Sequence, residues 1–444
     1  MTKKFPIVTV KLDKIVGGGQ TIATEETGRK IFAWGGLPGE IVEVQITKKK
    51  SKFAEGTVIK VLKPSVERIE PRDASSYLST SPWQIMDFES EQHYKSALIE
   101  EAFELHDIVL PEPIELFSDN KQYGYRNKVE FSWWWDNETE QLDLAFFKRG
   151  SHGKIPVEGT SLASPHINIA AIAVRDLLRK KSKIRADMLK TLLVRCNATD
   201  SVVVQLYVKD ELFKKFSKSE LESLEKSAGV IGFELIFSNP KSPASVITER
   251  LQSWGTTNLT DIVLDIPFTY ATDGFFQINL PVYAQALNDM RIWIDENKPT
   301  VDLYSGVGTI GLTIGGKNVT MVEINENAVN EMKNNIIKLG RSETVQSVLA
   351  PIENALEFIN GNSTIILDPP RAGLHKDVID KLVNESPGRI IYLSCNPVTQ
   401  ARDVAGLAEK YGIRYHRGYN FFPRTPHVEH LIILELKNTD SSVE

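Results

Sequence analysis

The sequence predicts a multidomain α/β protein ending in a doubly wound, Rossmann-like sheet. Three observations carry that expectation. From about residue 285, short apolar runs alternate with helical stretches. A glycine-rich turn joins one of those runs to the next helix. The amino end is β-rich and basic, with a different punctuation. Alternating strands and helices build parallel sheets covered on both faces. With 444 residues and roughly 100–200 residues per domain, the chain has room for two to four domains. We divide it into 1–63, 64–284 and 285–444.

Residues 1–63 read as a small, OB-like β-barrel. FPIVTVKLD, TGRKIFAW, GEIVEVQITKKK and AEGTVIKVLK are strand-like, and GGGQ, GGLPG and KKKSKFAEG separate them. The segment holds 12 Lys/Arg against 6 Asp/Glu, a balance of +6, whereas the whole chain carries −6. A small basic module on an acidic body suits contact with a polyanion at one place. The tip KKKSK carries four lysines, with Phe53 beside it. Charge alone supports a solvated hairpin tip as well as an RNA contact.

Residues 64–92 are rich in Pro and Ser and read as loop, followed by a helix from about Glu91 to His106. From 122 to 260, KVEFSWWW, LDLAFFKR, TLLVRCNA, SVVVQLYVK and GFELIFSN alternate with helical stretches, as in a mixed α/β domain. The run Trp133–Trp135 is expected to serve strand core and surface rather than to form a base-stacking platform. Lys121, Arg126 and Lys128 cluster around Tyr123 and Tyr125, which fits an RNA surface or an ordinary turn.

In the last domain TVDLYSG, NVTMVEI, STIILDPP, RIIYLSC and the closing HLIILEL are the apolar strands. The first runs into Asp302-Leu-Tyr-Ser-Gly-Val-Gly-Thr-Ile-Gly311, where glycines permit a sharp turn and close approach to a ligand. Glu323 ends the next strand, where a carboxylate can accept both ribose hydroxyls of a nucleoside. Gly306, Gly308 and Gly311 also carry dinucleotide spacing, so a nicotinamide-type site competes. Asp368-Pro369-Pro370-Arg371 tips the balance, since a carboxylate before two prolines at a strand end makes a rigid, substrate-facing loop.

The chain has two cysteines. Cys196 lies inside TLLVRCNA and reads as core. Cys395 ends the strand IIYLS before Asn396-Pro397 and a helix expected from about Thr399. Ligands bind at strand carboxyl ends in open α/β sheets, and a following helix amino end is expected to lower the thiol pKa. Methylation of uracil carbon 5 needs such a thiol, because addition to carbon 6 turns carbon 5 into a nucleophile. It also needs a base to remove the carbon-5 proton afterwards. Glu429, in Pro426-His-Val-Glu-His430, is the base candidate, on a segment expected to fold over the site before the last strand.

Taken together these residues resemble the RNA uracil-5-methyltransferase family, which acts on tRNA and ribosomal RNA, over nearly the whole chain. Phe275-Phe-Gln277-Ile-Asn279 is similar to the family's F-x-Q-x-N, implying that Gln277 binds the cofactor. Tyr304, Glu323 and Asp368 match its other cofactor contacts. Ser394-Cys395-Asn396-Pro397 matches its nucleophile motif, and His427-Val428-Glu429 its base motif. The amino-terminal barrel is similar to the TRAM domain that many members use to hold RNA. The resemblance implies S-adenosyl-L-methionine as cofactor and structured RNA as substrate, with 23S rRNA favoured and the T-loop of tRNA as the alternative.

Two departures accompany it. Many ribosomal members hold an iron–sulfur cluster on four cysteines; here PRDASSYLSTSPWQ resembles that region without a cysteine, and Thr160 stands where the last ligand would be. No cluster or other metal is therefore expected. Ser305 replaces a cysteine common in the glycine loop, with no consequence expected. Cysteine usage and the lack of a long apolar run suggest a cytoplasmic protein off the membrane, and a monomer is expected. The competing classes are a nucleotide-dependent oxidoreductase, which leaves Asp-Pro-Pro and Cys395 unexplained, and an RNA-binding protein without catalysis, which leaves Gln277, Cys395 and Glu429 without a role.

Overall fold

A computed structural model describes residues 6–181, 184–243 and 245–437. Contacts divide the chain into two compact bodies. The first is Met1–Tyr94, Lys121–Leu259 and Pro423–Pro426; the second is Lys95–Asn120, Thr260–Phe422 and His427–Glu444.

The first body begins with a six-stranded sheet. Strand Ile41–Lys49 lies between Ile7–Lys11 and Phe53–Lys63, antiparallel to both, while Lys30–Trp34 runs parallel to Phe53–Lys63. Alternate residues Val42, Val44 and Ile46 point into one core with Leu12, Ile31 and Ala54. The alternation stops at the lysines, where Ile41–Lys49 runs past the core into solvent. Gly56 is required by close approach: a Cβ there would stand 2.5 Å from Val44 and 2.6 Å from the Gln45 carbonyl.

A seven-stranded sheet follows, in the order Lys154–Val157, Gln141–Phe147, Lys128–Asp136, Leu189–Cys196, Val202–Val208, Val230–Phe237, Glu249–Gly255. Its Val202–Val208 and Val230–Phe237 pair is parallel, bridged by helix Lys218–Ala228. That helix and Pro165–Arg179 contribute to the same apolar core as the strands. Ser217 opens the former with a reciprocal capping box to Glu220. Cys196 is buried in this core, as its sequence setting suggested. Of the three tryptophans, Trp133 is core, while Trp134 is exposed.

Helix Phe88–Glu104 starts three residues before the expected Glu91. Asp87 explains the difference: its carboxylate accepts the Ser90 amide at 2.8 Å and caps the first turn.

In the second body an eight-stranded sheet runs Val345–Leu349, Val319–Glu323, Thr300–Leu303, Thr364–Leu367, Arg389–Ser394, Glu429–Leu436, Tyr411–Tyr419, Leu116–Phe117. The first five strands are mutually parallel, as the βα alternation requires. Glu429–Leu436 is antiparallel to both its neighbours, so the sheet ends in a reversed hairpin. Parallel strands buried on both faces read as continuous apolar runs, and Thr364–Leu367 is buried at every position.

Candidate functional site

The carboxyl ends of the parallel strands gather the candidate residues. After Leu303 the chain turns through Tyr304, Ser305 and Gly306 before helix Thr309–Ile314. Tyr304 is left-handed at φ +66°, an unusual state for a bulky residue, and Gly306 and Gly308 follow at +55° and +85°. The turn is pinned from below. The Ser305 amide and hydroxyl both donate to the Val322 carbonyl at 3.1 Å. Gly311 donates its amide to Asp302 at 2.8 Å. Glu323 accepts the Gly306 amide at 3.0 Å and the Asn325 amide at 2.7 Å, so its carboxylate is oriented at the mouth of the turn. A Cβ on Gly306 would meet nothing within 4 Å, which leaves a cradle above the turn. One on Gly311 would stand 2.7 Å from the Met321 sulfur, so that glycine serves close packing beneath.

Asp368 follows strand Thr364–Leu367, and burial pushes it up to about 7. Asp302, fully buried with one carboxylate oxygen lacking any partner, is pushed up to about 8 by burial and by Asp368 and Glu323. Glu429 is raised well above the usual carboxylate range by burial and by Asp368, with Arg371 pulling the other way. Carboxylates of Asp302, Glu323, Asp368 and Glu429 thus face one region of strand ends. An open glycine turn with the Glu323 carboxylate oriented at its mouth offers acceptors to a nucleoside ribose rather than positive charge to a dinucleotide pyrophosphate.

Cys395 follows strand Arg389–Ser394 and is half-buried. Its helix begins at Pro397, with Asn396 as the cap, slightly earlier than the sequence suggested. The expected fall in thiol pKa is not what the structure gives. Burial, Glu429 and Asp368 push Cys395 up to about 12, against a smaller opposing pull from Arg371. Burial disfavours the thiolate most, and the two carboxylates add to it, which outweighs the pull of a helix amino end. Glu429 also differs from expectation: it is the first residue of strand Glu429–Leu436, paired with Tyr419 and 4% exposed, rather than part of a loop lying over the site.

Several contributors had no signal of their own in the sequence. The Arg371 carbonyl accepts the Asn396 side-chain amide at 2.8 Å and the Thr399 hydroxyl at 3.2 Å, which ties the Asp-Pro-Pro loop to the cysteine loop. Arg371 also reaches His427 Nδ1 at 3.1 Å. Buried Asp403 accepts the Leu374 amide and the Tyr392 hydroxyl, each at 2.8 Å, and so fixes the far end of the same loop. Gln277 sits between strand Ile266–Ala271 and helix Leu280–Arg291. Its flanks are fixed: Phe276 stacks on Tyr270 at 4.0 Å, and the Asn279 side chain donates to the Phe421 carbonyl at 3.2 Å. Phe275 is 73% exposed.

In the first body, Thr160 is brought to the cysteine-free stretch, its hydroxyl donating to Asp73 at 3.1 Å. Asp73 also accepts the Ser161 amide and hydroxyl and the Gln84 side chain. Among the described residues no group of three or more His, Cys, Asp or Glu is placed to hold a metal. In the basic-aromatic cluster Tyr125 is buried and Lys121 is exposed, and Tyr123 lies under Arg72 at 3.9 Å and Arg424 at 5.4 Å. At the lysine tip Lys48 pairs with Glu55 at 2.7 Å, while Lys49, Lys50 and Lys52 are exposed. Phe53 packs edge-on against Phe32 at 5.9 Å.

Known proteins match this arrangement. The family model for tRNA (Uracil-5-)-methyltransferase covers residues 88–437, and that for the TRAM domain residues 3–59. The chain belongs to the tRNA (uracil-5-)-methyltransferase family. It is an RNA methyltransferase of that family with an amino-terminal TRAM domain. It is 30% identical to an uncharacterized RNA methyltransferase of Fusobacterium nucleatum, over 98% of this chain and 97% of that one. A second uncharacterized RNA methyltransferase, from Enterococcus faecalis, is 29% identical over 97% of this chain and 98% of its own length. The fold matches the Pyrococcus abyssi tRNA (uracil-54, C5)-methyltransferase crystallised with S-adenosyl-L-homocysteine, at a TM-score of 0.77, 21% identity, and coverage of 96% of this chain and 100% of that one. No helix among the described residues is long and apolar enough to cross a membrane.

Proposed function

We propose that the enzyme methylates carbon 5 of a specific uridine in RNA through a covalent bond between Cys395 and uracil carbon 6. The convergence of Cys395, Glu429 and Asp368 at one end of three neighbouring central strands carries the reading, and their mutual electrostatic influence supports it. Gln277, Tyr304, Glu323 and Asp368 would hold S-adenosyl-L-methionine, Glu323 by its oriented carboxylate and Tyr304 by its fixed left-handed backbone. The cofactor supplies the methyl group as a cationic sulfonium electrophile, and the Pyrococcus protein's bound S-adenosyl-L-homocysteine supports this choice.

Cys395 first gives its proton to solvent water and takes one back from solvent when the cycle closes. Its sulfur then forms a bond to carbon 6, and the carbon 5–carbon 6 π electrons move toward carbon 5 and the adjacent carbonyl. Carbon 5 takes the methyl group as the sulfur–methyl bond breaks, with S-adenosyl-L-homocysteine as the leaving group, and still carries its own hydrogen. Glu429, ionised, removes that proton. The electrons restore the double bond, the carbon–sulfur bond breaks, and Cys395 leaves as thiolate. A buried carboxylate with a raised pKa is a strong base once ionised, which suits proton removal from carbon. Arg371 offers a cation beside the thiol and the base.

The first reading is 23S rRNA, the substrate favoured with the family resemblance. The printed names of the family model and the Pyrococcus protein favour tRNA as the second reading. Unmodified 23S rRNA and tRNA transcripts, each incubated with methyl-labelled S-adenosyl-L-methionine, separate the two once the labelled fragment is mapped. Label on neither RNA, with an active positive control, would sink the proposal.

A further inference from the structure

One helix of the second body, Glu326–Lys338, reaches three parts of the cofactor site proposed above. Its cap, Asn325, donates its amide to Glu323 at 2.7 Å. A Cβ on Gly308 would stand 3.0 Å from the Met332 side chain, so the helix packs against the glycine turn. Glu331 and Asn335, one turn apart on one face, hold strand Ile266–Ala271, which leads to Gln277. That strand lies in a two-stranded ribbon rather than in the eight-stranded sheet. Two strands alone are marginal in water, so outside contacts have to place it.

Asn335 is fully buried beside Val329, Met332 and Ile336 on the helix's apolar face. A buried amide is tolerated only when its hydrogen bonds are made. Its oxygen accepts the Thr269 amide at 3.1 Å, and its nitrogen donates to the Thr269 carbonyl at 3.2 Å. Exchange of both bonds with one residue is what a neighbouring antiparallel strand would do, so a side chain takes the place of a third strand. The same nitrogen donates to the Val307 carbonyl at 3.4 Å, between Gly306 and Gly308 of the turn. Glu331 accepts the Ala271 amide at 3.1 Å. Amides two residues apart point to one edge of a strand, so both side chains grip the same edge. From Ala271 the chain closes at once. Its carbonyl accepts the Gly274 amide at 3.1 Å, and Phe276, next to Gln277, stacks on Tyr270. A Cβ on Gly274 would stand 3.5 Å from Glu331 Oε2, so the helix also borders this turn.

Apolar packing alone would join helix to ribbon, but it would leave the ribbon free to slide along the helix. Hydrogen bonds to particular amides and carbonyls fix its register. The Asn335 side chain does this for the Gln277 side and the glycine turn together, because it bonds both. We propose that Asn335 and Glu331 are positioning residues for S-adenosyl-L-methionine, tying the segment that carries Gln277 to the glycine turn. The inference rests on the cofactor role of Gln277 and of that turn given above.

Calorimetric titration of the full chain with S-adenosyl-L-homocysteine, beside steady-state kinetics on whichever transcript accepts label, provides the test. Asn335→Asp keeps the shape but turns an oxygen toward two carbonyls. It should weaken S-adenosyl-L-homocysteine binding about tenfold, the scale of one lost hydrogen bond. The KM for the cofactor should rise equally, while the KM for RNA stays within about twofold and kcat at saturating cofactor falls less than about threefold. Glu331→Ala should act in the same direction, and it stays readable if Asn335→Asp folds poorly, because Glu331 is only half-buried. Glu331→Gln keeps an acceptor for the Ala271 amide and should bind close to wild type. Gln277→Ala completes a double-variant cycle: in its background, Asn335→Asp or Glu331→Ala should cost at most about a further twofold. Losses that multiply in the double variants overturn the positioning role and leave Gln277 in place. So does wild-type cofactor affinity in both single variants, or an equal loss of cofactor binding, RNA binding and kcat. If Gln277→Ala alone binds as wild type does, the cofactor reading of Gln277 fails and this inference with it.

Discussion

The thiol of Cys395 illustrates how neighbours outweigh local sequence. In the free enzyme it is protonated across the physiological range, because burial, Glu429 and Asp368 hold it near 12. Iodoacetamide at pH 8 should therefore alkylate it about 10³-fold more slowly than free cysteine, with a rate rising about tenfold per pH unit. A rate matching free cysteine would show that the carboxylates do not govern the thiol. Cys395→Ala should abolish both methylation and adduct, assayed by label in RNA and on the gel. Asp302 makes a second residue-scale prediction. Its folded pKa of about 8 lies above the unfolded value of about 3.9, so the neutral form is the one the fold favours. Its stabilising contribution is complete below about pH 4 and drains away as pH rises to about 8. The melting temperature of wild type minus that of Asp302→Asn should fall over that window and flatten above it. A flat difference from pH 5 to 9 would remove Asp302 from the titrating set.

At the scale of elements, the loops after the strands hold the site by tying to each other. Gly373 adopts φ +77°, and a Cβ there would stand 2.5 Å from Asp403 Oδ2 and 2.6 Å from the Arg402 guanidinium. Gly373→Ala should cost about 1–3 kcal/mol in denaturant unfolding and lower kcat and cofactor affinity together, since it disturbs the loop that carries Asp368. An unchanged stability would mean that the loop yields freely. Asn396→Ala should cost about 1 kcal/mol through the lost cap and release the Arg371 loop as well. The parallel strands, the glycine turn and the strand-end cysteine were legible because each is local: apolar runs, φ-permissive residues and chain position. Strand Tyr411–Tyr419 was not, because Arg414, Arg417 and a register shift at Ile413 and Tyr415 break its alternation. Strand Leu116–Phe117 has only two residues and exists by pairing with Gly418 and Tyr419. The cysteine's shift had the wrong sign for the same reason: the helix was visible in the sequence next to it, the carboxylates only in the fold. Asp403 and Arg371 became site residues solely through contacts made by folding.

Across the whole molecule, charge is partitioned so that a net −6 chain can still hold a polyanion. The strand ends present mainly carboxyl groups rather than cations to a phosphate backbone, so affinity for RNA has to come from elsewhere. The basic TRAM segment is the place the sequence offers, and Lys49, Lys50 and Lys52 stand exposed where their hairpin runs past its core. Lys48 contributes less, its charge already met by Glu55. If these three lysines meet phosphates, each releases counterions, and the slope of log affinity against log salt carries roughly 0.7–0.9 per contact. Lys49, Lys50 and Lys52 changed together to Ala should then weaken RNA binding at 50 mM salt, shallow that slope by about 2–3, and raise KM for RNA. At saturating RNA kcat should hold, because none of the three is among the residues proposed for the chemistry. Binding titrations across a salt series, run beside steady-state kinetics, read all of these at once. An unchanged slope would assign the tip to solvent and move the search for the RNA surface to other basic positions. A fall in kcat with KM unchanged would mean instead that the TRAM module acts on the chemical step rather than on capture.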